Sequence, residues 1–490
     1  MPTRPFIIFL SILAFSTLLR WGTFSRTVIN HDESTYIVIA DEMLRGETYL
    51  GESIDTKPVG LFWLYAGMVY VTGGSIIGLR FLATFFIALT AFFLFRAGKR
   101  ATGSDRVGWA AGLSYPLVMS LFTYYGISPN TELFFNCFTA AAIMLAIPDL
   151  IAGWQNREPV KLNPGKYALV GILLGCAVII KPVAGAESLA IGLFLLYWGW
   201  KKKQLTAAVF RACLPMTLAF TLPILLVIAY YANLGMLDEL YFYNWEVTRR
   251  YPANKAWYLR LKFMGDYFLR FSPLVLLAIA AWRERQHDRP WQQFLLLQLA
   301  LVSLIVIIPG KTFGHYQVQL NPALCALAAC WWLPSRSNQP WLRKLQLSKG
   351  LPILAAIALL IGIGHFFKYQ YKHDRAGLAA DWLKEHLKDG DDFLMLKNNH
   401  IVYHLLDRPV PSPYVHGTLL FYHHHIEKLE VDLPAEAQRI VDQDNLRYVL
   451  AYIRDLEEEK EHPIVQTIQD RYVQVDQLDD ELVILERKPL

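Results

Sequence analysis

The charged residues that follow the first apolar stretch are the first candidates for chemistry. Residues 30–58, NHDESTYIVIADEMLRGETYLGESIDTKP, hold seven carboxylates between two strongly apolar stretches. A carboxylate at position 32, held at a membrane surface beside a cavity between helices, could act as a general base. The alternative is that Asp32 caps the helix that follows and offsets its dipole. Glu33 could orient His31 or Asp32, or face water.

The segment after Asp32 has the pattern of an amphipathic helix in the membrane interface. Apolar residues recur at helical spacing with charged residues between them: Ile37, Ala40 and Leu44 against Asp41, Glu42 and Arg45. We therefore expect a helix with a solvated acidic face.

Lys57 precedes Pro58 at the start of the next apolar stretch. Proline suits the first turn of a helix, and the free amides of that turn favour an anion, so Lys57 could face a lipid phosphate. Alternatively, a lysine at a helix start extends to the lipid headgroups. Lys181 and Pro182 repeat the arrangement, and there the headgroup interpretation is favoured.

Other charged residues enter or flank later apolar stretches. Glu132 begins one, where it is either a helix starter or a functional acid. Residues 237–271 alternate aromatic and basic residues, which predicts an interfacial segment, and its Arg249 could also bind an anionic head group. Lys311, His315 and Tyr316 open a further stretch. A charge at the bilayer centre costs on the order of 2.5 to 3.5 kcal/mol, so these side chains are expected to line a site.

The elements that position these residues are membrane helices. Of 490 residues, 54% are hydrophobic and 18% charged, which is outside the usual range of soluble proteins. Stretches that could span a bilayer as helices lie at 6–24, 75–95, 109–124, 132–152, 167–180, 183–200, 212–231, 271–282, 291–309, 316–333 and 350–367. We expect about 11–13 transmembrane helices and a first stretch that is retained as an anchor.

Basic clusters predict the orientation, because cytoplasmic loops are rich in lysine and arginine. Clusters at 96–106, 201–211, 283–289 and 336–349 all fall inside if the N-terminus is inside and residues 58–72 do not cross fully. Residues 25–57 and the C-terminal segment are then extracytoplasmic.

The composition changes after residue 367. Residues 368–490 carry 15 Lys and Arg against 24 Asp and Glu. Helical periodicity in RAGLAADWLKEHL and DLPAEAQRIVDQ, with strand-like DDFLMLK, RYVLAYI and ELVILER, predicts a small soluble α/β domain. We expect a transmembrane catalytic domain at 1–367, with an amphipathic first loop at 25–57, and an extracytoplasmic domain at 368–490. The five cysteines lie in apolar stretches and form no disulfide framework. The triple histidine at 423–425 is interpreted as surface decoration.

Four short motifs in this order resemble a known family. HDE after the first span, TKPVGLFWLYA, SPNTELFF and GHYQVQLNPALCALAA are similar to motifs of the protein mannosyltransferase and aminoarabinose transferase superfamily. Its members are polytopic GT-C glycosyltransferases of the glycosyltransferase family 39 type. The resemblance covers residues 6–333, while the second proline of the usual Lys-Pro-Pro is Val59 here. The absence of the long insert found in eukaryotic members indicates a bacterial type.

The resemblance implies an inverting transfer of a sugar from a polyprenyl-phosphate-linked donor on the extracytoplasmic side of the bacterial inner membrane. It assigns catalytic acids to Asp32 and Glu132, with Glu33 beside them, and donor-phosphate contacts to Lys57 and to the element containing Lys311, His315 and Tyr316. Arg249 is a further cation available to the developing phosphate charge. The acceptor would be a glycolipid, a polysaccharide or a protein, and membrane lipids but no nucleic acid are expected as partners.

Two other functions use the same residues. Intramembrane charges would also serve a transporter or flippase of a lipid-linked glycan. A transporter predicts internal repeats, and the two Lys-Pro pairs are the only repeated feature found in the sequence. A non-enzymatic scaffold would bind a partner through the acidic C-terminal segment. For the transferase we expect no required cofactor, because charged side chains could replace the metal of nucleotide-sugar enzymes, although a divalent metal is an open alternative.

Overall fold

The computed structural model describes residues 3–25, 28–121, 126–156, 160–250, 255–283, 289–333 and 347–489. The chain divides into two compact units. The helical unit comprises Met1–Phe24, Arg80–Tyr230 and Pro252–Lys368. The mixed unit comprises Ser25–Leu79, Tyr231–Tyr251 and Tyr369–Leu490, so the C-terminal segment shares one unit with the first loop. The division into folding domains at residue 367 stays a prediction.

Seven helices in the described ranges are long and apolar enough to cross a membrane. They are Pro5–Thr23, Ile76–Thr102, Thr131–Ile151, Pro182–Lys201, Leu205–Leu234, Pro290–Ile307 and Pro352–Gln370. Helices Trp257–Arg270 and Ser272–Arg283 meet at 82° and make an eighth if they are counted as one span. The predicted class, a polytopic helical membrane protein, is confirmed.

Four apolar stretches form shorter helices, one of which, Val59–Thr72, was predicted not to cross fully. Val59–Thr72 and Pro164–Ile180 are apolar but have 14 and 17 residues. Asp105–Met119 has 15 residues and Asn321–Ala329 only nine. A helix rises 1.5 Å per residue, so none of the four reaches the roughly 20 residues that a perpendicular crossing needs.

The stretch predicted at 316–333 is not one continuous helix. It begins as a 3-10 helix at Gly314–Leu320, continues as Asn321–Ala329 and ends as a 3-10 turn at Cys330–Trp332. Buried polar side chains make hydrogen bonds there: Gln317 Nε2 donates to the Phe263 carbonyl at 2.7 Å, and Tyr267 Oη donates to Asn321 at 2.8 Å. Polar groups in lipid need such partners, so this stretch packs within the helical unit.

The segment predicted to lie in the interface forms several short helices. They are Leu237–Tyr241, Phe242–Glu246 as a π-helical turn, Val247–Arg249 and Trp257–Arg270. Trp257 and Tyr258 are exposed, and the last of these helices turns by 82° into Ser272–Arg283. Exposed aromatic residues on a sharply turned helix fit an interfacial position.

The C-terminal segment forms a four-stranded sheet in the order β1-β2-β4-β3. The strands are β1 (Asp392–Met395), β2 (Leu446–Tyr452), β3 (Tyr472–Gln477) and β4 (Leu482–Arg487). β1 is parallel to β2, and β4 is antiparallel to both β2 and β3. The three predicted strands are present; β3 was missed because only Tyr472 of that strand is buried, which leaves little apolar signal.

Helices complete this α/β region. Both predicted helices are present, as Arg375–His386 and Leu433–Val441. Five others are Ile401–Leu406, Thr418–Phe421, His423–Leu429, Ile453–Glu458 and Pro463–Arg471. A core that includes Ile440, Val449 and Ile468 joins sheet and helices. The small C-terminal α/β region predicted from the sequence is therefore confirmed.

The first-loop helix, His31–Arg45, is packed rather than solvated. It lies against Val59–Thr72 and Ile401–Leu406 in the mixed unit. Glu42 is buried and accepts from Arg45 at 2.7 Å, while Asp41 contacts His404 at 2.7 Å. The predicted solvated acidic face is wrong, because partners from the distant C-terminal segment cover it.

Candidate active site

Asp32 lies in the first turn of the first-loop helix without being its cap. Asn30 has extended backbone angles, and its side chain accepts from the Asp32 amide at 3.0 Å, so Asn30 is the N-cap. The helix ends at Gly46, whose φ of 101° suits glycine. The capping interpretation of Asp32 is therefore wrong, and its carboxylate makes a different contact.

That contact is the ammonium group of Lys57. Lys57 Nζ lies 3.4 Å from Asp32 Oδ1 and 3.1 Å from Asp55 Oδ1. Asp32 and Lys57 keep 24% and 25% of their side-chain surface exposed, whereas Asp55 keeps 1%. The Lys57 ammonium also lies 5.4 Å from the centre of the Tyr36 ring. A buried carboxylate thus fixes a cation beside a more accessible carboxylate.

The backbone that carries Asp55 and Lys57 is held by Tyr49. The Tyr49 hydroxyl donates to the carbonyl oxygens of both residues, at 2.8 Å for Asp55. Burial, followed by the charge of Asp55, raises the pKa of Tyr49 well above its usual value. The hydroxyl therefore keeps its proton and remains a donor.

Three imidazoles surround the start of the first-loop helix. His416 Nε2 lies 4.0 Å from Asp32 Oδ1, and His400 Nε2 lies 3.2 Å from the His31 carbonyl. Burial lowers the pKa of His31 to about 4, helped by His416 and Lys372. Burial also lowers the pKa values of His400 and His416. These rings are therefore neutral at neutral pH.

Glu33 is buried in the same helix turn. The sequence-based alternative that it faces water is therefore wrong. Its predicted role beside Asp32 stays a prediction. Arg249 ends its short helix with an exposed side chain, while the neighbouring Arg250 pairs with Glu246 at 3.0 Å and with Glu430.

A second cluster forms around Glu132 in the helical unit. Glu132 lies in the first turn of the helix Thr131–Ala146, is almost completely buried and pairs with Lys181. Thr131 Oγ1 also donates to Glu132 at 2.9 Å. Lys181 lies in the break between Pro164–Ile180 and the 3-10 turn Pro182–Ala184. The headgroup interpretation of Lys181 is wrong, because a buried carboxylate binds its ammonium.

The late polar element supplies the other side of this cluster. Lys181 Nζ lies 4.0 Å from the centre of the Tyr316 ring. The rings of His315 and Tyr316 meet edge to face, with centroids 4.7 Å apart. Gln319 Nε2 anchors this element, donating to Glu187 at 2.8 Å. Lys311 lies half-buried just before the 3-10 helix.

The predicted residues thus form two clusters, one in each unit. Asp32 and Lys57 meet in the mixed unit. In the helical unit Lys181 joins Glu132 to Tyr316, whose ring packs on that of His315. Sequence reasoning missed Asp55 and His416. The position of Asp55 two residues before Lys57 was a usable signal, because both lie in one short segment. Nothing local marked His416. Within the described ranges, no three His, Cys, Asp or Glu side chains are grouped to hold a metal ion.

No protein-family model matches this chain. It is 23% identical over 366 residues to undecaprenyl phosphate-alpha-4-amino-4-deoxy-L-arabinose arabinosyl transferase 1 of Pseudomonas fluorescens, covering 72% of this chain and 56% of that protein. It is 24% identical over 384 residues to the transferase of the same type from Yersinia enterocolitica, covering 73% and 66%. The chain thus spans about half to two-thirds of the length of the curated relatives it matches.

Solved structures share the fold. ArnT from Cupriavidus metallidurans bound to undecaprenyl phosphate aligns with a TM-score of 0.65 and 14% identity over 99% of this chain and 98% of that one. The archaeal oligosaccharyltransferase AglB from Archaeoglobus fulgidus, in complex with an inhibitory peptide and a dolichol-phosphate, aligns with a TM-score of 0.52 and 11% identity over 98% and 74%. The chain therefore has the GT-C fold and is similar in sequence to the aminoarabinose transferases, as its motifs predicted.

Proposed function

We propose that this chain is an inverting glycosyltransferase that uses a polyprenyl-phosphate-linked sugar. The observation that carries the proposal is the partly exposed Asp32–Lys57 pair, in which the proposed base and the proposed phosphate-binding cation lie 3.4 Å apart. The names of the relatives, transferases of an undecaprenyl phosphate-linked aminoarabinose, support an undecaprenyl phosphate donor. The acceptor is a glycolipid, a polysaccharide or a protein on the extracytoplasmic face of the bacterial inner membrane.

In the proposed reaction, an acceptor hydroxyl attacks the anomeric carbon of the sugar from the side opposite the lipid phosphate. Asp32 takes the hydroxyl proton as the new carbon–oxygen bond forms. The bond to the phosphate oxygen breaks, and the lipid phosphate leaves with the bonding electrons. Lys57 neutralises the charge that develops on that leaving group. Attack opposite the leaving group inverts the anomeric configuration.

The shared ammonium group couples donor binding to the base. Lys57 lies between the buried Asp55 and the accessible Asp32, so a donor phosphate would compete with Asp32 for it. When Lys57 turns towards the phosphate, Asp32 loses a nearby cation and becomes more basic. The contact with the buried Asp55 limits the range of movement of Lys57. The donor thereby activates the base that it needs.

The other predicted residues keep their proposed roles. Donor-phosphate contacts of Arg249, Lys311, His315 and Tyr316, and a role of Glu132 as the second acid, stay predictions from the sequence motifs. Lys181 is a further candidate cation, because Glu132 and Tyr316 hold its ammonium group within the polar cluster. In this mechanism the positive charge at the phosphate comes from side chains, and no cofactor is required.

The test uses the full-length protein in a deletion strain of its host. Mass spectrometry would follow polyprenyl-phosphate sugars and surface glycolipids in cells carrying the wild type, Asp32→Asn or Lys57→Met. Exposed charges in the same unit provide matched controls, Glu47→Gln and Lys388→Met. We expect Asp32→Asn to lower transfer by roughly 10²- to 10⁴-fold and to accumulate one lipid-linked monosaccharide. Both controls should behave as the wild type.

Two results would contradict the transferase. Unchanged transfer in Asp32→Asn, at normal protein levels in the membrane, would remove the proposed base. Full transfer by Asp32→Asn when donor is supplied on the outer leaflet, with a defect only for donor made inside, would instead indicate a flippase.

A further inference from the structure

A histidine of the C-terminal segment lies close to the carboxylate of Asp32. His416 Nε2 lies 4.0 Å from Asp32 Oδ1, although 384 residues separate the two positions in the chain. The same oxygen receives Lys57 Nζ at 3.4 Å. A separation of 4.0 Å is closed by a small side-chain rotation or bridged by one water molecule.

The loop that carries His416 is attached to the strand-like segment before Lys57. The Ile54 amide donates to the Pro413 carbonyl at 2.7 Å, and Ile54 and Tyr414 form a parallel β-bridge. The residue after Ile54 is Asp55, the buried counter-ion of Lys57. The backbone therefore fixes His416 and the Lys57 ion pair relative to each other.

The hydrogen bonds of His416 determine which ring nitrogen carries the proton. The Thr418 backbone amide donates to His416 Nδ1 at 3.2 Å, and Thr418 Oγ1 lies 2.8 Å from the same nitrogen. A backbone amide can only donate, so Nδ1 is the acceptor. The proton of the neutral ring is then on Nε2, the nitrogen that faces Asp32.

We propose that His416 is a positioning residue for Asp32, whose Nε2–H holds the carboxylate in the orientation needed to receive the acceptor proton. This inference rests on the proposed function, because it presumes that Asp32 is the base. It makes the C-terminal segment an integral part of the site. A fixed donor on one carboxylate oxygen limits rotation of the group and stabilises its charged form.

The surroundings keep this ring neutral. Burial and the charge of Lys57 lower the pKa of His416, against Asp55 and Asp32, which raise it. The ring of His400 lies with its centroid 5.6 Å away, and its pKa is also lowered by burial. A neutral Nε2–H donor adds no charge to the ion pair, so His416 can orient Asp32 without displacing Lys57.

Two conservative variants separate positioning from a purely structural role. His416→Asn keeps an acceptor near the Nδ1 position, facing Thr418, but has no donor near the Nε2 position. His416→Gln places its amide group near the Nε2 position and can donate to Asp32, but leaves Thr418 without its acceptor. A structural role would make His416→Gln the damaging change, whereas positioning makes His416→Asn the damaging one.

The first measurement follows the protonation of the Asp32 carboxyl group directly and needs no substrate. The full-length protein, in lipid nanodiscs, is treated with a carbodiimide at pH values from 4 to 8, and peptide mass spectrometry follows modification of Asp32. The midpoint is the pH at which modification of Asp32 is half-maximal. We expect this midpoint to rise by roughly one unit in His416→Asn and to stay near the wild-type value in His416→Gln. His404→Gln, which alters another histidine–aspartate contact on the same helix, should leave it unchanged.

The second measurement is transfer kinetics on the same variants. We expect His416→Asn to lower kcat roughly tenfold with little change in the donor KM, and to add nothing in an Asp32→Asn background. An unchanged Asp32 midpoint in His416→Asn, or equal shifts in all three histidine variants, would overturn the inference even if Asp32 is essential. Full activity of Asp32→Asn together with the midpoint shift would overturn the base while leaving the contact in place.

Discussion

The buried carboxylate of Asp55 holds the ammonium of Lys57 at 3.1 Å. The more exposed Asp32 carboxylate lies at 3.4 Å from the same ammonium group. Because Asp55 is desolvated and fixed, it is the structural partner of the lysine, and Asp32 is the exchangeable one. Lys57 thus has one contact that sets its position and another that a substrate can replace.

Removing the charge of Asp55 should loosen Lys57. In Asp55→Asn, the ammonium loses its buried counter-ion, so we expect unfolding to become easier by about 1–3 kcal/mol and the donor KM to rise. Thermal unfolding of the purified protein and donor titration measure the two effects. Glu52→Gln, an exposed change three residues earlier, should stay within about 0.5 kcal/mol of the wild type. Equal stability of both variants would contradict the assigned role of Asp55.

Local sequence patterns were sufficient for most of the fold. Apolar stretches located the spanning helices, because the bilayer selects length and composition, and short strand-like apolar runs located β1, β2 and β4. The edge strand Tyr472–Gln477 was missed, since five of its six residues are exposed and nothing marks a buried face. Its pairing with β4 is a backbone property that side-chain hydropathy does not record.

The site was only partly predictable, for a related reason. Asp32 and Lys57 stood out because charges next to apolar stretches are costly unless they have a partner. The partners themselves come from far along the chain: His404 pairs with Asp41, and His416 approaches Asp32. Long-range pairing depends on tertiary packing, so no local pattern identifies a residue that is buried by a segment 363 or more positions away in the sequence.

The Glu132–Lys181 pair should respond to single and double changes differently. Glu132→Gln or Lys181→Met alone leaves a buried charge without its partner, so each should lower stability by about 3–5 kcal/mol. The double variant removes both charges and should recover most of that loss. Thermal unfolding in nanodiscs measures this. If Glu132 also serves the reaction, the double variant folds but does not transfer sugar; recovered transfer would assign the pair a structural role alone.

Tyr316 should interact with Lys181 through its aromatic ring rather than through its hydroxyl group. The Lys181 ammonium lies 4.0 Å from the ring centre, a distance suited to a cation–π contact. We expect Tyr316→Phe to keep this contribution and Tyr316→Leu to lose about 0.5–2 kcal/mol of stability. Unfolding measurements on the two variants, repeated in a Lys181→Met background, isolate the pairwise effect. Equal losses for Phe and Leu in both backgrounds would contradict the contact.

His404 should make the stability of the mixed unit depend on pH above neutrality. Its Nδ1 lies 2.7 Å from Asp41 and its Nε2 lies 2.7 Å from the Gly74 carbonyl, so both nitrogens face acceptors and the ring is held as an imidazolium. Burial lowers the pKa of His404, but the hydrogen bond and charge of Asp41 outweigh burial, and the net pKa is raised above 6.5.

A raised folded-state pKa stabilises the protein fully below the unfolded value near 6.5, and this contribution is lost as the pH rises through the folded value. The loss amounts to about 1.4 kcal/mol per unit of pKa difference. Unfolding midpoints measured from pH 6.5 to 9 should therefore fall in the wild type and fall less in His404→Gln. The measurement begins at pH 6.5 because His31, His400 and His416, whose pKa values are lowered, act in the opposite direction as the pH falls below it. Parallel profiles for the wild type and His404→Gln would show that the Asp41 contact does not hold a charged ring.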